Sequence, residues 1–347
     1  MNKTLAIASG LMALAILAVS ATVSYSQSLE SFYKDRRMRY ILGSAGGGGY
    51  DLYSRTVTKY MVNHIPGKPN FVIQNMPGAS GVVAANYLYN VASRDGSILG
   101  MTGRASAIET LINPADKSIL FEATKFNWIG TPQQEIGILL VWQPSPIQTL
   151  DDLKKYELTV SSTGRAAATS IYPRLLNNMF GTKFKVIEGY KSSQDGLFAM
   201  EKGEVAGHSS GGSSSAFRNR VEPWVKAGQA KMMLMVSMEK DATYPEVPLI
   251  TDFATNDQER QIIELVLVQQ IMGRPILAPP GIPADRVKAL RDAFDATMTD
   301  PGFLAEAEKQ KLEVNPVSGA QLNAMLERVY ATPKHVTDRV GELLNQD

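Results

Sequence analysis

Four consecutive glycines at positions 46–49, followed by Tyr50 and Asp51, constrain the fold of this chain more than any other feature. They lie between an apolar, strand-like segment at residues 40–42 and an amphipathic, helix-like segment at residues 52–64. Because glycine has no side chain, the backbone N–H groups can approach a ligand closely, and the positive end of the following helix dipole favours an anion there. A tight turn without a ligand is the alternative, since glycine is also common in turns.

The same order of strand, small-residue loop and helix recurs along the sequence. Strand-like segments at residues 71–74 and 158–161 are each followed by a loop rich in glycine and small polar residues, and then by a helix-like pattern. Alternation of strands and helices is typical of parallel strands joined by helical crossovers. The sequence therefore predicts an α/β fold in which several loops of small residues leave the same edge of a sheet.

Two apolar segments in the middle of the chain predict a division into two lobes. Residues 136–142 are a candidate first crossing between the lobes, and residues 234–238 are a candidate return. These crossings assign residues 27–135 and 240–347 to lobe 1 and residues 136–239 to lobe 2, with a hinge between them. Ligands of open α/β sheets bind outside the carboxyl ends of the strands, so the glycine loops are expected to face one cleft.

The first residues predict export from the cytoplasm. Residues 1–26 have the pattern of a signal peptide, with Lys3 as their only charge and an apolar or small-residue run at 5–19. Small residues precede a cleavage site between Ser26 and Gln27, so we expect a periplasmic protein. An uncleaved membrane anchor is the alternative, although the apolar run is short compared with the roughly 20 residues that span a bilayer.

Charge and cysteine content narrow the possible functions. The chain has 35 Lys and Arg residues against 34 Asp and Glu residues. This balance argues against nucleic-acid binding and against electrostatic attachment to a membrane. The absence of cysteine rules out a lipid-attached lipoprotein and suits an oxidising compartment, where free thiols would mispair.

Several short motifs occur in an order that is typical of one protein family. Residues 46–51 match the family's first loop, Pro-Gly-Gly-Gly-Thr-Asp, with Gly46 in the proline position and Tyr50 in the threonine position. Residues 75–81 match its second motif, Asn-x-Pro-Gly-Ala-x-Gly. Six further matches follow in order at residues 94–96, 190–191, 203–205, 244–248, 278–283 and 300–301. In these motifs the chain resembles the extracytoplasmic solute receptors of tripartite tricarboxylate transporters, the Bug-type binding proteins.

The resemblance implies a two-lobed type II periplasmic-binding-protein fold, in which each lobe is a mostly parallel sheet flanked by helices. It also implies a receptor that closes around a small solute, usually a carboxylate. Such a receptor delivers the solute to a secondary transporter made of a small and a large integral membrane subunit. We expect a monomer that is not an enzyme and acts without a cofactor, a metal ion or nucleic acid.

The loops supply the predicted ligand-binding residues. Arg104 and Arg165 lie in equivalent loops of the two lobes, and a guanidinium matches a carboxylate bidentately, so both together would fit a dicarboxylate. Asp51 either accepts a hydrogen bond from an amine on the solute or caps the following helix. Tyr190 is expected to pack on the carbon part of the solute. The full predicted set is Ser44, Gly46, Gly47, Gly48, Gly49, Tyr50, Asp51, Gly78, Ala79, Ser80, Arg104, Ser106, Thr163, Gly164, Arg165, Tyr190, Lys191 and Ser210.

Two other functions remain open from the sequence: a secreted hydrolase that uses the same cleft, and a solute sensor that feeds a signalling partner. The hydrolase has weak support, because His64, His208 and His335 are the only histidines and no pair has metal-ligand spacing. No Gly-x-Ser-x-Gly segment occurs that would expose a nucleophile. His64 is expected in the core or at its rim, which leaves His208 as the histidine to watch for a catalytic role.

Overall fold

The computed structural model describes residues 28–345 apart from residues 165, 166, 191, 212–214, 239 and 242. The predicted signal peptide and its cleavage site lie outside the described residues, and so do Arg165 and Lys191 of the predicted binding site. Ser210 lies in a strand, but its side chain is likewise outside what is described. Every helix within the described ranges is too short or too polar to cross a membrane.

Eleven strands lie in the described part of the chain, and they form two separate sheets. They are β1 (Arg37–Leu42), β2 (Asn70–Asn75), β3 (Ile98–Met101), β4 (Asn127–Thr131), β5 (Gly137–Trp142), β6 (Leu158–Ser161), β7 (Phe184–Ile187), β8 (Gly207–Gly211), β9 (Ala230–Val236), β10 (Ile276–Ala278) and β11 (Val317–Ser318).

Thirteen α-helices connect or flank these strands within the same described ranges. They are α1 (Leu29–Tyr33), α2 (Gly49–Met61), α3 (Val82–Asn90), α4 (Glu109–Ile112), α5 (Asp152–Lys155), α6 (Ala168–Phe180), α7 (Ser193–Glu201), α8 (Ser215–Lys226), α9 (Asp257–Met272), α10 (Ala284–Met298), α11 (Pro301–Lys309), α12 (Gly319–Tyr330) and α13 (Lys334–Asn345).

The first sheet has the strand order β11-β4-β10-β3-β1-β2. Strand β1 pairs in parallel with β2 and β3, whereas β10 runs antiparallel to β3 and β4, and β11 antiparallel to β4. The four strands β1 to β4 therefore share one direction. Their carboxyl ends, and the loops that follow them, meet at a single edge of the sheet.

The second sheet has the order β7-β6-β8-β5-β9. Strand β6 pairs in parallel with β7 and β8, and β5 runs antiparallel to both β8 and β9. The strands β6 to β9 thus share one direction, and β5 runs against them. Each sheet is therefore mixed, with four of its strands sharing one direction. Two such sheets with flanking helices confirm the predicted α/β fold class.

The prediction that Ser210 lies in a ligand-binding loop was wrong. Ser209 and Ser210 belong to β8, between β6 and β5, although a run of serine and glycine is typical of a loop. Close packing explains why small residues occur in this strand: a Cβ atom at Gly207 would lie 2.6 Å from the carbonyl oxygen of Leu140. The predicted domain boundaries stay a prediction, although the sheets themselves divide between β4 and β5 and between β9 and β10.

The two sheets share part of their hydrophobic core. One buried cluster contains Ile41 of β1 and Val160 of β6 together with Val266 of α9 and Val340 of α13. Helix α13 packs against both α9 and α6. The contact between α13 and α6 includes a hydrogen bond of 2.7 Å from the Asn178 amide to the Leu343 carbonyl oxygen. The carboxyl-terminal helix therefore stabilises one lobe against the other.

Candidate functional site

A cavity of about 260 Å³ lies between the strand ends of the two sheets. One side of its wall is formed by loop residues that follow β1, β2 and β3. The other side is formed by the loop after β6 and by the starts of α6 and α7. This is the position in which open α/β sheets bind ligands. The lining residues are Gly43, Ser44, Tyr50, Ser80, Gly103, Arg104, Ala105, Thr163, Ala167, Ala168, Thr169, Ser193 and Gln269.

Arg104, Glu135 and Arg274 form a nearly buried cluster at this cavity, called here the arginine–glutamate cluster. The Glu135 carboxylate pairs with the Arg104 guanidinium through one oxygen and with Arg274 Nη2, at 3.0 Å, through the other. Arg104 Nη1 also donates to the side-chain oxygen of Gln270 at 3.2 Å. Two guanidinium groups and one carboxylate leave a formal charge of +1, which favours an anionic ligand.

Tyr50 holds both arginines in place. The Arg274 guanidinium lies 4.5 Å from the centre of the Tyr50 ring, a cation–π contact. The Tyr50 hydroxyl donates to the Gly273 carbonyl oxygen and accepts from the Arg104 backbone N–H, each at 3.4 Å. Burial lowers the pKa of Arg104, but a guanidinium stays protonated at any physiological pH. Tyrosine in the threonine position of the family motif therefore orders the charged wall of the cavity.

The glycine run at 46–49 lies on the exposed surface and is not part of the cavity wall. The Gly47 N–H donates to Asp51 Oδ2 at 3.0 Å, while the other three amides of the run have no acceptor in the described part of the chain. Asp51 also pairs with Arg55 at 2.9 Å, and hydrogen bonds from Arg55 and Gly47 lower the pKa of its carboxyl group. Asp51 thus braces the loop and does not line the cavity.

The loops after β2 and β3 pack directly on each other beside the cavity. Gly81 has a φ of +99°, and a Cβ atom there would lie 2.3 Å from the Gly103 backbone nitrogen. Only glycine fits both the conformation and the space. This contact explains the last glycine of the second motif, and it positions Ser80 in the cavity wall, whereas Gly78 and Ala79 are exposed beside it.

The start of α6 supplies donors from the second lobe. Helix α6 has no side-chain cap, and the N–H groups of Ala168 and Thr169 have no acceptor in the parts of the chain that are described. Both residues line the cavity. The Thr169 hydroxyl accepts from the Thr163 N–H at 3.3 Å, which fixes the loop before the helix. Free amides at the start of a long helix, with its dipole, favour a bound anion.

The structure brings part of the predicted site together. The predicted residues in the cavity wall are Ser44, Tyr50, Ser80, Arg104 and Thr163. The other predicted residues whose side chains or backbone are described lie outside the lining, namely Gly46, Gly47, Gly48, Gly49, Asp51, Gly78, Ala79, Ser106, Gly164 and Tyr190. Tyr190 is half-buried against the apolar cluster of the second sheet, and burial raises the pKa of its hydroxyl.

Sequence reasoning missed Glu135, Gln269 and Arg274. Gln269 is 2% exposed, and its amide nitrogen has no partner in the described part of the chain. Two adjacent glutamines at 269–270 interrupt the otherwise apolar stretch at 265–272, which was the signal available in the sequence. Glu135 and Arg274 carried no such signal, because their significance arises from contacts with residues far away in the chain.

His208, the histidine considered for catalysis, does not face the cavity. Its Nδ1 lies 2.7 Å from the Ser161 hydroxyl, which resembles a nucleophile–base pair. Ser161 and His208 are both buried, and neither is among the residues that line the cavity, so this pair does not face the solute. Burial lowers the pKa of His208 to about 4. His64 lies at the rim as expected and pairs with Asp300 at 2.9 Å.

Two α/β lobes whose strand ends enclose one small polar cavity define the class of two-lobed solute-binding proteins. The chain belongs to the TctC family, described as the tripartite tricarboxylate transporter family receptor, whose model matches residues 55–341. This confirms the family that the sequence motifs indicated. No protein with a curated description matches the chain.

Solved structures of the same fold support this assignment of architecture. A TctC solute-binding protein from Polaromonas has a TM-score of 0.67 and 17% identity, over 88% of this chain and 99% of its own. The Rhodopseudomonas palustris protein Rpa4515, solved with adipate, has a TM-score of 0.61 and 18% identity, over 88% and 97%. MatC from the same organism, solved with malate, has a TM-score of 0.59 and 18% identity, over 89% and 99%. At these identities the likeness shows the fold alone.

Proposed function

We propose that this protein is a periplasmic receptor that captures a small carboxylate in the cavity between its lobes. It then delivers the solute to the small and large membrane subunits of a tripartite tricarboxylate-type transporter. The chain binds and releases the solute without chemical change. We further propose that residues 1–26 are removed on export, that residues 27–135 and 240–347 form lobe 1, and that residues 136–239 form lobe 2.

The observation that carries this proposal is the convergence of cationic and amide donors on one cavity. Arg104 comes from the first lobe, and among the described residues only its side-chain Nη1 has partners, so Nε and Nη2 are available to a solute. The N–H groups of Ala168 and Thr169, which find no acceptor in the described part of the chain, come from the second lobe. A carboxylate takes charge-assisted hydrogen bonds from both kinds of donor, each contributing roughly 1.5–3 kcal/mol.

The relatives point to the same class of solute. Adipate and malate, the molecules solved with two structural relatives, are both small carboxylates. The family is named for receptors that work with a tripartite transporter. A periplasmic location follows from the predicted signal peptide.

Capture requires the lobes to close around the solute. A carboxylate that bridges Arg104 and the start of α6 contacts both lobes at once. Such a ligand stabilises the closed form over the open form by its extra contacts, so closure follows binding. We expect the membrane subunits to recognise this closed form.

A thermal-shift screen against small carboxylates tests the binding step. A ligand present at a hundred times its dissociation constant stabilises the folded protein by roughly 2.7 kcal/mol, which is easily measured. We expect at least one mono- or dicarboxylate to stabilise the protein and none to be consumed. Failure of every carboxylate to bind would overturn the proposal, as would turnover of model esters, amides or phosphates.

Arg104→Gln gives the matching test of the site. This variant removes the cation that faces the cavity, yet Glu135 keeps Arg274 as its partner. We expect carboxylate affinity to fall more than tenfold by isothermal titration calorimetry. Arg94→Gln, at an exposed arginine away from the cavity, is the matched control and should bind like the wild type. Arg165→Ala is also expected to weaken binding more than tenfold, as its position in the sequence predicts.

A further inference from the structure

Gln269 is a polar side chain that the carboxylate site does not use. It comes from the last turn of α9, lines the cavity and is 2% exposed. Its amide nitrogen is buried and has no acceptor within the described residues. A buried donor without a partner destabilises the folded protein, so its persistence beside a cavity points to a partner that arrives with the solute.

Tyr172 presents a second buried donor beside the cavity, on the helix that supplies part of its second-lobe wall. It lies one turn beyond Ala168 and Thr169 on α6, and both of those residues line the cavity. Tyr172 is 2% exposed, and its buried hydroxyl has no partner in the described ranges. Burial raises the pKa of Tyr172, and the nearby Arg104 charge opposes that effect, so the hydroxyl is a neutral donor close to the arginine.

We propose that Gln269 forms a second polar subsite that binds an oxygen acceptor on the solute other than its first carboxylate, with the buried Tyr172 hydroxyl as a supporting donor. The proposal rests on the proposed function, because the subsite acts on a solute already held by Arg104. It makes Gln269 a specificity-determining residue. An acid with a hydrogen-bonding oxygen at its far end is bound, and an acid with a plain alkyl end leaves the buried amide unpaired and is rejected.

The physical basis of this selectivity is that a buried hydrogen-bond donor costs free energy when its acceptor is missing. A pocket that supplies a hydrogen-bond donor discriminates strongly against an analogue that lacks the acceptor, because the donor then stays desolvated and unpaired. A pocket with an apolar wall discriminates far less between such analogues. The polar group at Gln269 therefore favours selectivity over simple capture of any acid.

The far oxygen belongs to either a carboxylate or a neutral carbonyl or hydroxyl group, and one matched series distinguishes them. Butyrate has no far oxygen, whereas succinate, succinamate and 4-hydroxybutyrate have a carboxylate, an amide and a hydroxyl at the same position. Hexanoate, adipate, adipamate and 6-hydroxyhexanoate repeat the series with a longer chain. Calorimetric titration of the full-length mature protein measures each dissociation constant.

We expect at least one functionalised acid to bind ten times or more tightly than the alkyl acid of equal length. Gln269→Leu should reduce that preference to less than threefold, because the functionalised acid loses its donor while the alkyl acid binds at least as tightly as it does to the wild type. Tyr172→Phe removes only a hydroxyl and should reduce the preference by a smaller factor, at least threefold. Gln258→Leu, at an exposed glutamine on the same helix, is the matched control and should keep the full preference.

Three results would overturn this inference while the proposed function stands. In the first, the wild type binds alkyl and functionalised acids equally. In the second, Gln269→Leu and Tyr172→Phe both keep the preference. In the third, Gln269→Leu weakens all acids by the same factor while Tyr172→Phe changes nothing, which would indicate a structural role. If no acid of either series binds the wild type, the proposed function fails first, and the inference fails with it.

Discussion

At the scale of single residues, Glu135 sets how much positive charge the cavity presents. Its carboxylate is shared by Arg104 and Arg274, and the Glu135 side chain is 12% exposed. Removing one partner from a nearly buried ion pair leaves the remaining charges without compensation, which is strongly destabilising. The same removal increases the attraction of the site for an anion. Stability and anion affinity are therefore expected to change in opposite directions at this position.

Glu135→Gln tests that opposition. The substitution changes the formal charge of the arginine–glutamate cluster from +1 to +2, and we expect the free energy of unfolding to fall by about 2–4 kcal/mol. We expect carboxylate affinity to rise in the same variant. Urea denaturation and calorimetric titration measure the two effects. Glu201→Gln breaks an exposed pair with Arg220 and should change the unfolding free energy by less than about 1 kcal/mol. Equal stability losses in the two variants would contradict the argument.

His208 is the residue whose burial makes stability depend on pH. Burial lowers its pKa in the folded protein to about 4, from the ordinary histidine value of 6.5. Between these two values the unfolded chain binds a proton that the folded protein does not. Stability is therefore highest above pH 6.5 and falls as the pH drops towards 4, by about 3 kcal/mol in total.

His208→Gln should remove that part of the pH dependence. We expect unfolding free energies, measured by urea denaturation from pH 7 to pH 4, to fall by about 3 kcal/mol less in the variant than in the wild type. The exposed His335 offers the control, because His335→Gln should leave the wild-type slope unchanged. A wild-type slope in His208→Gln would show that other groups cause the acid sensitivity.

At the scale of loops and strands, the close contact between the loops after β2 and β3 shapes the first-lobe wall of the cavity. Gly81→Ala places a methyl group 2.3 Å from the Gly103 backbone nitrogen at a φ of +99°. We expect an unfolding free-energy loss of about 3 kcal/mol or more, since strain in the left-handed region and overpacking add. Gly228 has a φ of +69° but lies in open space, so Gly228→Ala introduces backbone strain without overpacking. We expect its unfolding free energy to fall by about 1 kcal/mol. Equal losses by urea denaturation would refute the packing argument.

The strands and loops also show how much of the fold could be predicted from the sequence. The strand-like segment at 158–161 became β6 without a change of bounds, and residues 71–74 lie within β2. Short apolar runs flanked by turn residues are local signals, which is why they were predictable. Strand β8 was not predictable in the same way, because its serines and glycines are typical of loops and only its neighbours make it a strand.

The candidate site was predictable only where it follows a strand. Ser44, Ser80, Arg104 and Thr163 all lie in loops after strands, so topology alone placed them at the cavity. The glycine run satisfied the same rule but lies outside the cavity wall. Glu135, Gln269 and Arg274 were missed because no local pattern encodes a partner more than thirty residues away.

At the scale of the whole molecule, the shared hydrophobic core predicts that the two lobes unfold together. Helix α9 is buried along most of its length, and α13 packs against both α9 and α6. A buried cluster that includes residues of both sheets couples the stability of the lobes. Cooperative units of this kind unfold together, whereas lobes joined by a hinge alone would unfold in two steps.

Leu343 of α13 is the residue through which this coupling is tested. It is 1% exposed in the shared cluster, and its carbonyl oxygen accepts from Asn178 of α6. Leu343→Ala deletes buried methyl groups at the contact between the lobes, so we expect a loss of about 2–4 kcal/mol spread over the whole molecule. Scanning calorimetry should show one transition in the wild type and one transition at lower temperature in the variant. Leu304→Ala, at a leucine that is 41% exposed, should lower the transition temperature far less. The argument would be contradicted by two resolved transitions in the wild type, or by the loss of only one of them in Leu343→Ala. Either result would mean that the lobes are stabilised independently and that solute alone couples them.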